Sequence, residues 1–118
     1  MNFSFTPEQQ QIAAAISKIC DGFDDTYWLE RDQTGDFPDD FCTAFATDGW
    51  LGIAMPESSG GAGLGITEAA LMMQTIAESG AAMSGCSAIH MNIFGPNVIV
   101  VFGTEEQKAR MLPPLIKG

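Results

Sequence analysis

Apolar residues at Ile12, Ile16, Ile19, Cys20 and Phe23 recur at three- and four-residue intervals and form one stripe. The spacing predicts a helix over residues 3–23. Its start is marked by Thr6 as cap, Pro7 at the first helical position and Gln9 to complete a capping box. Asp21-Gly22 reads as a stop or bend. Residues 24–40 are acidic and interrupted by Gly35 and Pro38, which predicts a short helical continuation through Tyr27 and Trp28 and then a solvated loop. Beyond Pro38, the residues Phe41, Cys42, Phe45 and Ala46 form the inner face of a short helix. Gly49 ends it in the left-handed conformation that glycine adopts most cheaply. Residues 50–55 (Trp-Leu-Gly-Ile-Ala-Met) read as an apolar extended stretch stopped by Pro56, and residues 58–65 as a glycine-rich loop.

The second half is richer in apolar positions. Residues 67–79 carry Ala69, Ala70, Leu71, Met72, Met73, Ile76 and Ala77 on most sides, the pattern of a buried helix. A further helix is predicted over residues 82–94, broken by Gly95-Pro96, with two stripes at i, i+4, i+8. One is Gly85, Ile89 and Ile93; the other is Cys86, His90 and Phe94. Residues 98–102 (Val-Ile-Val-Val-Phe) favour a buried strand by propensity, yet no partner strand is in sight. Thr104 to Gln107 repeat the capping-box pattern, and a last helix carries Ala109, Leu112, Leu115 and Ile116, strained or restarted at Pro113-Pro114. The expected fold is all-α, a bundle of five or six helices.

Charge narrows the function classes. The 118 residues hold fifteen Asp+Glu against five Lys+Arg, a formal net charge of -10. Such a surface is repelled by nucleic acid and by anionic membranes, so neither is expected as a partner. With 46% hydrophobic residues the chain is too apolar for a disordered acidic tail. No apolar run has the length of a membrane span, and the first residues lack the basic region of a secretory signal. Cys20, Cys42 and Cys86 are odd in number and widely spaced, which predicts three reduced thiols in a cytoplasmic protein.

Candidate chemistry is sparse. The loop Gly60-Gly61-Ala62-Gly63-Leu64-Gly65 precedes a helix and so has the layout of a phosphate cradle. Its third glycine comes one residue too early for the dinucleotide fingerprint, and no Lys-Ser or Lys-Thr follows, so a tight packed connection is the stronger reading. His90 is the single histidine and has no carboxylate at i±3 or i±4, which argues against a metal site. It is expected either as a half-buried hydrogen-bonded residue or as a cavity-lining one together with Cys86 and Phe94. Glu57, Glu68 and Glu78 are possible bases, but Glu68 also suits the first turn of a helix as a dipole partner. Lys108, Arg110 and Lys117 gather three of the five basic residues near the C-terminus. Nothing here amounts to a complete active site.

Three stretches taken together resemble the N-terminal helical domain of the acyl-CoA dehydrogenase family. They are Phe5-Thr6-Pro7-Glu8-Gln9-Gln10; then residues 49–57 (Gly-Trp-Leu-Gly-Ile-Ala-Met-Pro-Glu) with Gly60 to Gly65; then residues 102–108 (Phe-Gly-Thr-Glu-Glu-Gln-Lys) with Leu112-Pro113-Pro114-Leu115. Their order and spacing match too, and the resemblance covers nearly the whole chain. It implies an FAD enzyme that desaturates an acyl-CoA thioester between its α and β carbons. A carboxylate base removes the α proton, the β hydrogen leaves as hydride to the flavin, and electrons pass to an electron-transfer flavoprotein. The family fold has an N-terminal helical domain, a middle β domain and a C-terminal helical domain. Most flavin contacts and the catalytic carboxylate belong to the last two.

By this resemblance the chain corresponds to one third of such an enzyme, an orthogonal helical bundle with the middle and C-terminal domains absent. It is expected to hold no catalytic residue, to bind no FAD by itself and to be inactive alone. Its implied partners are an acyl-CoA, the remaining domains of the same enzyme, an electron-transfer flavoprotein and further copies in a homo-oligomer. The implied substrate contacts are Cys86, His90 and Phe94, on the helix that approaches the acyl chain. A polar His90 toward the far end of that pocket points to a short, branched or functionalised acyl group. The resemblance also places residues 98–102 in a helix, although the family often has Pro where Val98 stands. The helix at residues 67–79 and the Cys86-His90-Phe94 stripe are then expected to be exposed, and the isolated chain to self-associate. The competing expectations are a self-sufficient acidic helical module that binds a protein partner, and an acyl-CoA oxidase or another relative within the flavin superfamily.

Overall fold

Capping fixes where the helices begin. Thr6 Oγ1 accepts from the Gln9 amide and the Gln9 side chain accepts from the Thr6 amide, so the first helix, α1, starts at Pro7 and not at Phe3. The computed structural model describes all 118 residues, Met1–Gly118. It is all-helical: α1 (Pro7–Cys20), α2 (Asp25–Thr34), α3 (Asp39–Thr47), α4 (Ile66–Glu78), α5 (Ala82–His90), α6 (Asn97–Phe102) and α7 (Glu105–Lys117). The all-α expectation holds. The helices outnumber the expected five or six because Asp25–Thr34 is a helix of its own: Asp24 accepts from the Tyr27 amide at one end, and Gly35 closes the other at φ 77°.

Three other boundaries differ from the sequence reading. Residues 50–55 are not extended. They wind through a short 3-10 turn, Trp50–Gly52, in which Ile53 and Met55 amides donate to the Trp50 and Gly52 carbonyls. With no strand to pair with, the backbone satisfies its hydrogen bonds locally. α5 stops at His90 and continues as turns to Pro96. Residues 98–102 are helical, as the family resemblance implied and against their β propensity.

The core forms where α4 meets α1 and α5, with α3 packed against the same two helices. Ile16, Phe41, Phe45, Leu51, Ile53, Met72, Ile76 and Ile89 are fully buried there, and no polar or charged residue is buried with them. The expectation that the helix at residues 67–79 lies exposed is thus corrected, because its larger side chains are used in this chain's own core. Ala69, Leu71, Met72 and Ile76 are covered, while Ile66, Ala70 and Ala77 face outward. An aromatic chain joins α2 to α3: Trp28 and Phe41 rings lie 4.9 Å apart edge to face, and Phe41 and Phe45 lie 4.8 Å apart. A smaller cluster of Met55, Leu112 and Ile116 anchors α7.

Two backbone positions are sterically demanding. A Cβ on Gly61 would fall 2.2 Å from the Met55 carbonyl oxygen, so the loop can lie against residues 52–55 only with glycine there. Ala82 sits at φ 42°, in the left-handed region that costs a Cβ-bearing residue about 1–2 kcal/mol.

Gly61→Ala is expected to lower stability by about 3 kcal/mol, through overpacking against backbone that cannot yield. Gly60→Ala, at a position with open space but φ 90°, is expected to cost about 1 kcal/mol. Urea midpoints compare the two, and equal losses would mean the loop is not held against Met55. Ala82→Gly is expected to raise stability by about 0.5–1 kcal/mol, the relieved strain less the added unfolded-state entropy of glycine. A drop in the thermal midpoint of that variant would contradict the left-handed backbone.

Candidate functional site

The α5 helix divides its two stripes cleanly. Gly85, Ile89 and Ile93 face the core, and Gly85 lets α5 approach closely, since a Cβ there would lie 2.6 Å from Ala81 Cβ and 3.2 Å from the Phe41 ring. The second stripe is turned by one residue, about 100°, and lies at the edge of the core. Cys86, His90 and Phe94 are brought together with Met73, Met83 and Ser87 around an open depression of about 390 Å³. Although α5 ends at His90, the Phe94 amide still donates to the His90 carbonyl at 2.9 Å, which keeps Phe94 on the same side. Phe94 is 37% exposed.

Two polar groups of this edge, Cys86 Sγ and His90 Nδ1, are tied to backbone. Cys86 Sγ donates to the Met73 carbonyl at 3.4 Å, pinning α5 to α4. His90 is exposed, and its Nδ1 lies 2.7 Å from the Ser87 carbonyl oxygen. It is thus neither half-buried nor lacking a partner, and the cost of burying an unpaired imidazole does not arise. Burial raises the Cys86 thiol pKa, and Cys20 adds to the effect. Burial, reinforced by Asp39, pushes Cys42 up to about 11. Cys20 is likewise raised, by burial first. All three cysteines are free thiols, and the shifts make each a poor nucleophile near neutral pH.

The glycine loop offers nothing to a phosphate. The Gly60 amide donates to Glu57, Gly61 to Pro56, Ala62 to Gly52, Gly63 to Met55 and Leu64 to Ile53 carbonyls. The Gly65 amide donates to Glu68 Oε2 at 3.0 Å. With these donors engaged, the loop is a packed connection, and its residues do not fit a dinucleotide cofactor. Two of the three candidate bases are occupied, while Glu57 is exposed and lies away from the depression. Glu68 accepts from Gln9 Nε2 at 2.9 Å as well as from Gly65, linking α1 to the start of α4. Those bonds, the Gln9 bond first, hold its carboxyl below the ordinary value. Glu78 accepts from Gln74 Nε2 at 2.9 Å. Lys108 pairs with Glu105 at 3.1 Å, and Lys117 lies nine residues on, about half a turn round α7. No group of three or more His, Cys, Asp or Glu side chains is placed to hold a metal ion. No helix is long and apolar enough to cross a membrane.

A second depression, of about 450 Å³, escaped the sequence reading. Asp39, Thr43 and Thr47 line it from α3, with Asn92 and Lys117 opposite. The signal was a polar stripe at i, i+4, i+8 on α3, masked by the stronger apolar stripe of the same helix.

The family model described as "Acyl-CoA dehydrogenase, N-terminal domain" matches residues 6–118. FadE12, an acyl-CoA dehydrogenase of Mycobacterium tuberculosis, is 28% identical over 99% of this chain and 30% of its own length. The mitochondrial isovaleryl-CoA dehydrogenase of Bos taurus is 34% identical over 94% of the chain and 26% of its own. A solved chain described with the electron transferring flavoprotein of Acidaminococcus fermentans superposes with a TM-score of 0.85 at 28% identity, over the whole of this chain and 31% of that one. The chain thus spans about a third or less of the proteins it matches.

The Glu68 bonds give a pH dependence of known sign. The folded pKa lies below the ordinary 4.5, so the stabilisation is present at neutral pH and is lost as pH falls through the carboxylate range. Glu68→Gln is expected to lower the thermal midpoint by roughly 2 °C at pH 7, a small effect because the group is solvent-screened. The gap to the parent should narrow as pH falls through the carboxylate range. A gap of constant size across that range would show that the charge of Glu68 contributes nothing.

Proposed function

The chain belongs to the acyl-CoA dehydrogenase family, as its N-terminal domain, and from that premise we propose that it forms one wall of the acyl-chain pocket in an FAD-dependent α,β-desaturation of an acyl-CoA thioester. The observation that carries this reading is the open apolar edge of Met73, Met83, Cys86, His90 and Phe94 on a helix otherwise packed into the core. An acyl chain laid along such an edge gains about 0.8 kcal/mol for each methylene it removes from water. The wall then orients the chain and excludes water, and no proton is transferred by it. The catalytic carboxylate is assigned outside these residues, because Glu68 and Glu78 serve local bonds and neither they nor Glu57 lines this edge. In this reading the flavin supplies the hydride acceptor, and none of the residues described here is assigned to hold it.

A short or branched acyl group suits the site. His90 ends the helical part of the wall with an imidazole where a long saturated chain would need carbon, and the bovine relative is named for a branched acyl group. The electron acceptor in this proposal is an electron-transfer flavoprotein, supported by the likeness to the solved chain described with one. Val98, Val101 and Phe102 leave an apolar face of α6 uncovered, which supports association with further copies. Three free thiols support a cytoplasmic setting.

The test is an assay of the protein, together with the sequence encoded beyond Gly118, against a panel of acyl-CoA esters beside a His90→Ala variant. The parent is expected to oxidise short or branched thioesters. The variant is expected to shift preference toward longer chains by about one methylene's worth of binding, roughly 4-fold in kcat/KM. Absence of thioester oxidation would overturn the proposed activity, and an unchanged chain preference would remove His90 from the pocket.

A further inference from the structure

His90 is the one lining residue of the Met73–Phe94 depression with a ring nitrogen, and its protonation pattern follows from a single distance. Nδ1 lies 2.7 Å from the Ser87 carbonyl oxygen. A carbonyl oxygen only accepts, so Nδ1 carries the hydrogen and donates. In the neutral ring Nε2 then bears a lone pair with no partner in the chain, in a depression lined also by Met73, Met83, Cys86, Phe94 and the small hydroxyl residue Ser87. The ring is also held in place, because a helix carbonyl three residues back fixes its other nitrogen.

Resting on the reading of this edge as an acyl-chain wall, we infer that His90 selects an acyl group carrying a hydroxyl toward its far end. Elimination among polar substituents leads there. Nε2 of the neutral ring accepts and cannot donate, so a terminal carboxylate or ketone, which only accepts, finds no partner on it. No Lys or Arg lines the depression to compensate a carboxylate, and the chain's net charge of -10 opposes one. A terminal ammonium would donate, but its charge would be placed against thioether and phenyl surface. A hydroxyl donates one hydrogen bond, carries no charge and is the least costly polar group to bring to such a surface. An unsubstituted chain of the same length leaves Nε2 facing carbon, so the site discriminates between the two by one hydrogen bond.

Two measurements test this. Nitrogen-15 NMR of the imidazole in the 118-residue chain, at a pH where the ring is neutral, is expected to show the hydrogen on Nδ1; a ring protonated on Nε2 overturns the inference. In the second, the enzyme formed with the sequence beyond Gly118 is assayed on ω-hydroxyacyl-CoA thioesters, each paired with its unsubstituted and its ω-carboxylated counterpart. The hydroxylated member is expected to have the highest kcat/KM of each set. His90→Leu is expected to cut the hydroxylated-to-unsubstituted ratio by roughly 2- to 10-fold, and His90→Gln, whose amide oxygen still accepts, to restore part of it. A ratio unchanged in His90→Leu, or a preference for the carboxylated member, overturns the hydroxyl inference while leaving the acyl wall intact. If no thioester of any kind is oxidised, the acyl-wall reading itself fails and this inference with it.

Discussion

The contact of α4 with α5 on one side and α1 on the other decides the rest of the molecule. Met72 and Ile76 of α4 are fully buried between these neighbours, and the bare Cα of Gly85 lets α5 come within contact distance of Ile76 and Phe41. Once Gly85, Ile89 and Ile93 are committed to that contact, helix geometry leaves Cys86, His90 and Phe94 about 100° away, at the rim. The candidate site is therefore a consequence of core packing. The Cys86 thiol bonded to the Met73 carbonyl adds a polar tie across the same pair of helices.

A second constraint is that backbone donors must be satisfied. The residues between α3 and α4 form only short 3-10 turns and no strand, yet most of their amides donate to carbonyls of residues 49–57. Gly61 lies where any side chain would meet the Met55 backbone, and the loop folds back on the segment that precedes it. This layer also supports α7, because Gly52 packs against Ile116 and Met55 against Leu112 and Ile116. The glycines thus serve packing between backbone segments, and anion recognition would require donors that are already engaged.

The acidic balance is distributed with the same logic. Most carboxylates between Asp21 and Asp48 lie on α2, α3 and the turns beside them, all exposed, with Arg31 as the lone base among them. Several have a local function at a helix start, as Asp24 does for α2. The face around Met73, Met83 and Phe94 has no acidic lining residue. Charge is thereby kept off the surface proposed for an apolar ligand.

Local chemistry alone determined much of this protein. The two Thr-x-x-Gln capping boxes, Gly49 as a left-handed stop and the two stripes of α5 were all legible as residue types at fixed spacing, and each is where it was expected. Order and spacing of three stretches were also enough to indicate the family. Tertiary structure decided the rest. Propensity favours a strand at residues 98–102, but with no partner strand a helix is the conformation that satisfies its own amides. Residues 50–55 wind up for the same reason. The environment of His90 was equally beyond the sequence, since composition and spacing cannot say that Ser87 would orient one ring nitrogen while Met73, from another helix, would line the same depression. Periodicity reports which side of a helix is apolar; only the packed chain reports what each side meets.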